Sequence, residues 1–389
     1  MKTIHLILAV IACSLPLSSC GNRKAKSAAA EEYVIEKDPV YNVPTEELLK
    51  RFPIRYQTPA TTPQEKGIQN RMLNGFGTWN AGFDTWKAWG EVLYSPESIY
   101  VVQGVRLTLD EYQRSMDMAL KGTTMELGQF ENMIISGDWT AIRYTSRNIN
   151  RQTGEGGDTA VMEFVHFKDY GELGMKVETG WGGEKGRGYP AFLPYQTKEE
   201  AEAQTAYIQG IVDATLPETS NLEEKYPVTY PTALSTPLAK KIKAFILSEY
   251  DAWNTGVSEW SGWVDRSYTS DVTYDWNGTV FNLAGAKNLN AMVSAEVSAK
   301  KVRIDNIIVS EDWAGVHAWM SVHRPDGSAD AFDTMAFYHF VEGGDGTLKV
   351  DKCWIKENIL LKSQVTYDKT SHTRTAVKLI TVFFESREL

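Results

Sequence analysis

The chain has 389 residues, a formal net charge of −10 and a pI near 5.3. This length is typical of two domains with extensions, and a hydrophobic content of 42% is sufficient for packed cores. The acidic balance argues against a general nucleic-acid-binding protein, which would carry a basic face, so we expect no nucleic-acid partner.

The first residues are typical of an export signal. Lys2 supplies a positive start, and the apolar run over residues 4–17 is too short to span a bilayer comfortably. The run ends in LSSC at residues 17–20, which resembles a bacterial lipobox. The resemblance implies removal of residues 1–19, acylation of Cys20 and attachment to the membrane through that lipid. The alternative is an ordinary signal peptide with a chance cysteine.

The segment after the signal is expected to be a tether. Residues 20–61 begin with a polar stretch and then contain several prolines. The sequence GNRKAK after Cys20 is not an acidic export signal. We therefore expect an envelope lipoprotein of a Gram-negative-type bacterium, in the outer membrane and facing the periplasm. Cys353 is then the one remaining cysteine and is interpreted as a small buried hydrophobe, without a disulfide framework.

A sequence repeat organises the rest of the chain. ISGDWTAIR (134–142) and IVSEDWAGVH (308–317) place two Asp-Trp pairs 174 positions apart (312 − 138). The same offset relates residues from position 62 onward, and it becomes 173 (339 − 166) after the Gly-containing segments that precede the two histidines. The repeat predicts one domain, doubled, over residues 62–190 and 236–358.

The two copies have the same predicted order of elements. Thr62-Pro63 and Thr236-Pro237 indicate an N-cap followed by proline in the first helical turn. A second short helix and a short strand follow, and Thr108 with Glu111 predicts a capping box before a third helix. Four strand-like segments complete each copy, which predicts an α+β fold.

The remaining segments are predicted to connect or extend the domains. The linker over residues 191–235 is expected to contain a helix at 198–214. The C-terminal extension, residues 359–389, contains the strand-like run AVKLITVFF at 376–384. The sequence has no C-x-x-C or H-E-x-x-H spacing, so no metal is expected, and no cofactor is expected either.

Three repeated motifs carry a resemblance to the nuclear transport factor 2-like superfamily, in particular its SnoaL-like branch. The first is W-N-x-G followed by a Leu/Tyr-Ser/Thr run, in WNAGFDTWKAWGEVLYSPES and WNTGVSEWSGWVDRSYTSDV. The others are the turn that opens SGDWTAIR or SEDWAGVH, and the closing hairpin of HFKDYGELGMKVETGW or HFVEGGDGTLKVDKCW. The resemblance implies two tandem cone-shaped domains. Each would have three helices packed on a curved, mostly antiparallel sheet around an apolar pocket. It does not imply a reaction, because the fold hosts enzymes and inert binding modules.

Catalytic relatives such as ketosteroid isomerase move a proton with a carboxylate in a dry pocket, whose pKa burial raises. The resemblance places that base at Asp275, in Asp275-Trp276-Asn277-Gly278, whereas the first copy has Val101 at the equivalent position. His339 is the assisting candidate, because it ends an apolar row in MAFYHF. The alternative interpretation is a solvated turn carboxylate and a structural histidine.

Aromatic residues are the candidates for a ligand pocket. Most tryptophans are expected to be core residues, and some are expected to line a pocket mouth. The predicted pocket residues are Trp86, Tyr100, His166, Trp260, Tyr274, Trp276 and Trp319. Asp138 and Asp312 are interpreted as turn formers.

Three hypotheses about function remain open at this point. The first is a non-catalytic, lipid-anchored protein that binds a small apolar ligand or an envelope protein partner. The second is a cofactor-independent isomerase, cyclase or dehydratase that is active in the second copy only. The third is a scaffold in which the copies pack together like a dimer and leave little open cavity.

The second copy is richer in polar groups at matched positions, which predicts that ligand specificity lies there. Asp275, Trp276, His317, Trp319 and His323 stand where the first copy has Val101, Val102, Arg143, Thr145 and Ile149.

Overall fold

The structure of the protein, a computed structural model, describes residues 43–77, 87, 90–102, 105–171, 174–184, 197–344 and 346–360. These residues belong to one compact unit. Cys20, the predicted pocket residue Trp86 and the strand predicted at 376–384 lie outside the described residues. None of the helices among the described residues combines the length and the apolar character needed to cross a membrane.

The first half of the described chain forms a mixed seven-stranded sheet with helices. The helices are α1 (Thr45–Arg51), α2 (Pro63–Gly77) and α3 (Leu109–Gly122). The strands are β1 (Ile54–Gln57), β2 (Tyr94–Val102), β3 (Val105–Thr108), β4 (Thr123–Ser136), β5 (Trp139–Asn150), β6 (Gly156–Asp169) and β7 (Met175–Glu184). Their order is β1-β4-β5-β6-β7-β2-β3, with β1–β4 and β2–β7 parallel and the other neighbours antiparallel.

The second half forms a six-stranded sheet whose strand order matches that of the first sheet without β1. Its helices are α4 (Lys198–Val212), α5 (Leu222–Lys225), α6 (Pro237–Thr255), α7 (Val257–Ser267) and α8 (Leu283–Glu296). Its strands are β8 (Tyr268–Trp276), β9 (Thr279–Phe281), β10 (Ser298–Ser310), β11 (Trp313–His323), β12 (Ala329–Glu342) and β13 (Leu348–Leu360), in the order β10-β11-β12-β13-β8-β9. The expected α+β class is confirmed.

Local capping rules explain where the helices begin. The Glu65 amide donates to Thr62 Oγ1, and the Thr62 amide donates to Glu65 Oε2. Thr108 and Glu111 make the same reciprocal pair before α3, as predicted. The Ala239 amide donates to Thr236 Oγ1 at the start of α6. Each cap satisfies amides that a helix terminus leaves without an intrahelical acceptor.

Part of the segment predicted to be a tether forms regular secondary structure. Residues 45–57, assigned to the tether, form α1 and β1 instead, because Leu48 and Ile54 are buried and β1 pairs with β4. In the linker, the helix expected at 198–214 is confirmed as α4, and α5 follows it. Val228 then bridges to Ile304 as β1 does to β4. The proline-rich composition predicts irregular structure, but these short elements are stabilised by strands that are distant in the sequence.

Each sheet has a helix-covered face and a face turned toward the other sheet. The first interior, between the first sheet and its helices, contains Phe76, Tyr100 and Phe130. The second interior contains Ile246, Tyr250, Tyr274, Tyr338 and Cys353. A third core, the central interface, is formed by residues of both sheets together with α4, among them Trp139, Phe164, Trp313, Trp319 and Phe337.

Residues related by the sequence offset make reciprocal contacts across the central interface. The Tyr56 ring lies 4.9 Å from Trp313, and the equivalent Tyr230 ring lies 5.4 Å from Trp139. Phe164 packs at 6.0 Å against its own equivalent, Phe337. Such pairing of residue i with j, and of j with i, is the pattern of a two-fold symmetric dimer interface, here within one chain.

The backbones of the two sheets approach closely at Gly315. A Cβ atom at this position would lie 2.6 Å from Cβ of Ala141, its equivalent in the first half. Only glycine at one of the two positions allows this approach.

The W-N-x-G motif of the second half holds the edge of its sheet. Asn254 Oδ1 accepts from the Lys301 amide, and Asn254 Nδ2 donates to the Lys301 carbonyl oxygen, both at 2.8 Å. Gly256 ends α6 with φ of 146°, a conformation that other residues rarely adopt. The motif therefore has a structural role, since it ties α6 to the edge strand β10.

Candidate functional site

The first interior contains a buried carboxyl group among tyrosines. Glu163 of β6 points to the helix-covered face and accepts a hydrogen bond of 2.6 Å from the Tyr144 hydroxyl. Burial raises the pKa of Glu163 to about 7, while the hydroxyl groups of Tyr144 and Tyr100 act in the opposite direction. Tyr94 and Tyr112 surround Tyr100 with ring distances of 5.6 and 4.9 Å.

The glycines of β7 make room for this arrangement. A Cβ atom at Gly180 would lie 2.7 Å from the Tyr100 ring, and one at Gly182 would lie 2.6 Å from its hydroxyl oxygen. Trp181, between them, points to the central interface. The glycines of β7 thus leave space for the Tyr100 side chain, so their role is in packing.

The second interior has a different set of buried charges. Lys301 Nζ lies 3.8 Å from the centre of the Tyr250 ring and 5.3 Å from that of Trp253. Burial lowers the pKa of Lys301, and Glu249 and Glu357 act in the opposite direction. Glu249 accepts from Tyr268, and Glu357 accepts from Trp276 Nε1, both at 3.0 Å. These charges are therefore compensated within the second half.

An open groove lies beside the second interior. Its volume is about 430 Å³, within the range of small-molecule sites. It is formed by the end of α6, the start of α7, the end of α8 and the β10–β11 end of the sheet. The lining residues are Trp253, Gly256, Val257, Trp260, Ser294, Ala295, Glu296, Val297, Ser298, Ala299, Lys300, His323, Arg324 and Pro325.

The candidate catalytic pair, Asp275 and His339, is not assembled in a cavity. Asp275 Oδ1 accepts from the Gly278 amide at 2.7 Å, which is the turn role considered as its alternative. Asp275 is paired with Trp354, and Trp354 with Phe337, two residues before His339. Strand geometry then puts the Cα atoms of Asp275 and His339 about 12 Å apart. Both lie on the face of the sheet opposite the second interior.

The two histidines have structural partners. His339 lies between Asp351 and Asp312, and its ring packs 4.6 Å from Trp313. His166 repeats this arrangement between Glu178, at 3.2 Å, and Asp138, at 3.0 Å. Met162, Phe164 and His166 alternate along β6 and share one face. This face is turned toward the other sheet, so His166 lies beside the central interface.

The aromatic pocket candidates are found in several places. Tyr100 and Tyr274 are buried in the first and second interiors. Trp260 lines the groove, and Trp276 packs against the second interior. Trp319, in contrast, is fully buried in the central interface, where its Nε1 donates to Asp305 Oδ2 at 2.7 Å.

A buried ionic cluster surrounds Trp319 in the central interface. His317 Nε2 is 2.7 Å from Asp333 Oδ1, and its Nδ1 is 3.7 Å from Asp305 Oδ2. Burial alone would raise the pKa of Asp305, but His317, Arg303 and Trp319 together hold it below its ordinary value. The polar residues that distinguish the second half are thus partly interface residues.

Arg143, the equivalent of His317 by the 174 offset, makes the reciprocal contact on the other side. Its guanidinium carbon lies 3.9 Å from the centre of the Trp354 ring. The His317 ring lies 5.1 Å from Trp181, the equivalent of Trp354. Burial lowers the pKa of Arg143 to about 10, while Glu131, Tyr56 and Asp275 act in the opposite direction. Asp275 is therefore part of the electrostatic environment of the interface.

Sequence reasoning missed Glu163, Lys301, Glu249 and Glu357. A signal for Glu163 existed, because it is the one acidic residue of VMEFVHF (161–167) and alternation places it opposite Phe164. For Lys301 and the two glutamates no local signal distinguishes a buried charge from an exposed one.

The comparisons with known proteins find solved structures that match 30–32% of this chain. A ketosteroid isomerase-like protein from Erwinia carotovora atroseptica is 15% identical, with a TM-score of 0.24, over 30% of this chain and 94% of that chain. A candidate SnoaL-like polyketide cyclase from Jannaschia is 14% identical, with a TM-score of 0.26, over 32% of this chain and 88% of that chain. A conserved protein from Planctomyces limnophilus is 12% identical, with a TM-score of 0.28, over 31% and 99%. No family model and no curated protein matches the sequence.

Proposed function

We propose that the protein is a lipid-anchored envelope protein with two tandem nuclear transport factor 2-like domains that binds a small apolar ligand without catalysis. The ligand site is the groove of the second domain. The observation that carries the proposal is the groove itself, an open concavity that is partly lined by Trp253 and Trp260 and lies beside the second interior.

The packing of the two halves supports a binding role over a catalytic one. The reciprocal contacts of the central interface involve the faces of the two sheets that are turned toward each other, together with Asp275. His166 and His339 are engaged by carboxylates beside that interface. We therefore assign these groups to holding the two domains together. The proposal thus joins two of the hypotheses, a protein that binds a small ligand and a scaffold in which the two copies pack like a dimer.

The groove proposal is tested by mass spectrometry of small molecules that co-purify with the native protein. Ala295→Trp adds a large side chain at an exposed position of the groove lining, and Ala203→Trp does so at an exposed position of α4. We expect the co-purified molecule to be absent from Ala295→Trp and retained by Ala203→Trp. Equal amounts in both variants, or no bound molecule in the wild type, would contradict the proposal.

The envelope location rests on the sequence around Cys20 and has its own test. We expect Cys20→Ala to move the protein from the membrane fraction to the soluble fraction of the cell envelope, because one N-terminal lipid is its proposed attachment. Labelling with a radioactive fatty acid should mark the wild type only. Membrane association that survives the substitution would exclude the lipid as the anchor.

A second candidate function is proton transfer in the first domain, and Glu163 favours it. A carboxyl group with a pKa of about 7, held by the Tyr144 hydroxyl, has the protonation behaviour of a general acid or base. This candidate moves the enzymatic hypothesis from Asp275 to the other half. It requires a substrate to reach Glu163, whose side chain is buried.

A further inference from the structure

We infer that the groove of the second domain takes a short apolar peptide in extended conformation, which pairs with the open edge of β10 at Ala299. The inference rests on the proposed binding function and adds the chemical class of the ligand. A peptide that joins the edge of a sheet binds through main-chain hydrogen bonds, and the surface beside the edge receives its side chains.

The edge of β10 is covered from Lys301 onward. Residues 228–232 lie along it, and the Thr229 amide donates to the Ile304 carbonyl oxygen at 2.9 Å. The side-chain amide of Asn254 exchanges two hydrogen bonds of 2.8 Å with the main chain of Lys301. A carboxamide thus takes the place of a neighbouring strand at Lys301, and the covered stretch ends there.

Ala299 is the next position whose main-chain groups point away from the sheet. Opposite residues of an antiparallel pair alternate between those that bond each other and those that turn both groups outward. Lys301, which is paired with Met320, turns its groups to Asn254. No register shift separates this pair from Ala299 and Val322, so the N–H and C=O of Ala299 point to the same side. Among the described residues, neither group has a hydrogen-bond partner.

The open edge lies in the groove. Residues 298–300 are part of the lining, and so are Trp253, near the end of α6, and Val257, at the start of α7. Trp253 and Val257 are only half-buried, so they leave apolar surface for a ligand. A peptide paired with Ala299 would place its side chains beside this surface, where their burial adds to the main-chain hydrogen bonds.

The charges of the lining favour a neutral ligand. Arg324 is paired with Asp330, and the Glu296 carboxylate offsets Lys300. The main chain of a peptide is uncharged between its ends. One residue of an extended peptide offers a donor and an acceptor side by side, which match the N–H and C=O of Ala299 one for one.

The length of the open edge limits the peptide to a few residues. β10 begins at Ser298, and Asn254 occupies its edge at Lys301, so residues 298–300 are the open stretch. Three extended residues span about 10 Å. This length and the groove volume of about 430 Å³ both fit a small ligand.

The test compares two probes that differ in their main-chain donors. N-acetyl-trileucine dimethylamide is a neutral apolar peptide, and its analogue has ester oxygens in place of the three N–H groups. Binding to the full-length protein in neutral lipid vesicles is measured by equilibrium dialysis. The groove-specific part is the difference between the wild type and Ala295→Trp at equal lipid, which removes binding to the vesicles.

We expect the peptide to bind in the groove about fivefold more tightly than the ester, because the ester cannot donate to the Ala299 carbonyl oxygen. Ala299→Pro removes the N–H that would donate to the peptide, and we expect it to weaken the peptide about fivefold. Proline is tolerated on an edge strand where the N–H points away from the sheet, so this variant should fold.

Val280→Pro is the matched control. Val280 is 64% exposed on β9, the strand at the opposite edge of the same sheet. Thr279 closes the hairpin with Trp276, so the main-chain groups of Val280, one residue on, turn outward as those of Ala299 do. We expect this substitution to leave the binding of both probes unchanged. Circular dichroism of both proline variants checks their folding, and the comparison of peptide with ester in the wild type needs neither variant.

The possible results separate this inference from the proposed function. If peptide and ester bind equally in the groove, the groove is a ligand site but pairing with β10 is wrong. If Val280→Pro weakens the peptide as much as Ala299→Pro does, the effect belongs to the sheet as a whole and the pairing is again wrong. If neither probe has a groove-specific component, the peptide class is wrong, and the co-purified molecule decides the binding function separately.

Discussion

Replacing Trp319 with alanine is expected to lower the free energy of unfolding by about 3–5 kcal/mol, the range of buried tryptophan and phenylalanine truncations. Trp319 is fully buried in the central interface, packs against Tyr207 and donates to Asp305. The truncation leaves a cavity and removes a donor from a buried carboxylate. Urea unfolding followed by circular dichroism measures the change.

Two further measurements separate an interface role from a pocket role for this residue. Trp319→Phe keeps an aromatic ring but loses the indole N–H and part of the buried volume, so we expect a smaller cost of about 1–3 kcal/mol. Both variants, where folded, should retain the co-purified ligand, because Trp319 does not line the groove. If the free energy of unfolding falls by less than about 1 kcal/mol and the ligand is lost, Trp319 is a pocket residue and not an interface residue.

Glu163→Gln is expected to make the protein more stable than the wild type at high pH and to change little at low pH. Burial raises the pKa of Glu163 from 4.5 to about 7 in the folded state. Between these values the folded state binds more protons than the unfolded state, so wild-type stability falls as the pH rises from about 4.5 to 7. Across this pH window the free energy of unfolding of the wild type falls by about 3 kcal/mol in total, and below the window it is not reduced.

The neutral glutamine keeps an acceptor for the Tyr144 hydroxyl and has no charge to bury. The difference in unfolding free energy between variant and wild type should therefore grow across this pH window and stay constant above it. Glu126→Gln, which alters an exposed residue of β4, is the control. A difference that does not vary with pH would show that Glu163 is solvated when ionised, and would remove the basis for acid–base chemistry there.

The elements that the sequence predicts well are those governed by neighbours along the chain. The caps at Thr62, Thr108 and Thr236 are local, because a side chain three residues away meets an amide of the same helical turn. The offset of 174 also predicts two similar halves, and the strand order of the two sheets is the same apart from β1. The short elements α1 and β1 were missed, because their burial depends on distant strands.

The assignment of side chains to an interior or to the interface required the tertiary structure. In β11 every residue from Trp313 to Val322 is buried, so the alternation that marks one exposed face of a strand is absent. Period-two reasoning correctly groups Met162, Phe164 and His166 on one face. It cannot tell whether that face meets helices or a second sheet, since both are apolar environments.

The sequence by itself therefore determined the repeat, the capped helix starts at Thr62, Thr108 and Thr236, the main strands of each copy and the α+β class, because these follow from local hydrogen bonding and residue periodicity. Only the tertiary structure separated Asp275 from His339, placed Trp319 between the two sheets and brought Tyr144 to Glu163. It also formed the groove, whose lining comes from three helices and the edge of a sheet. The physical reason is that a site depends on which faces of separate elements meet, and that choice is made by packing over the whole molecule.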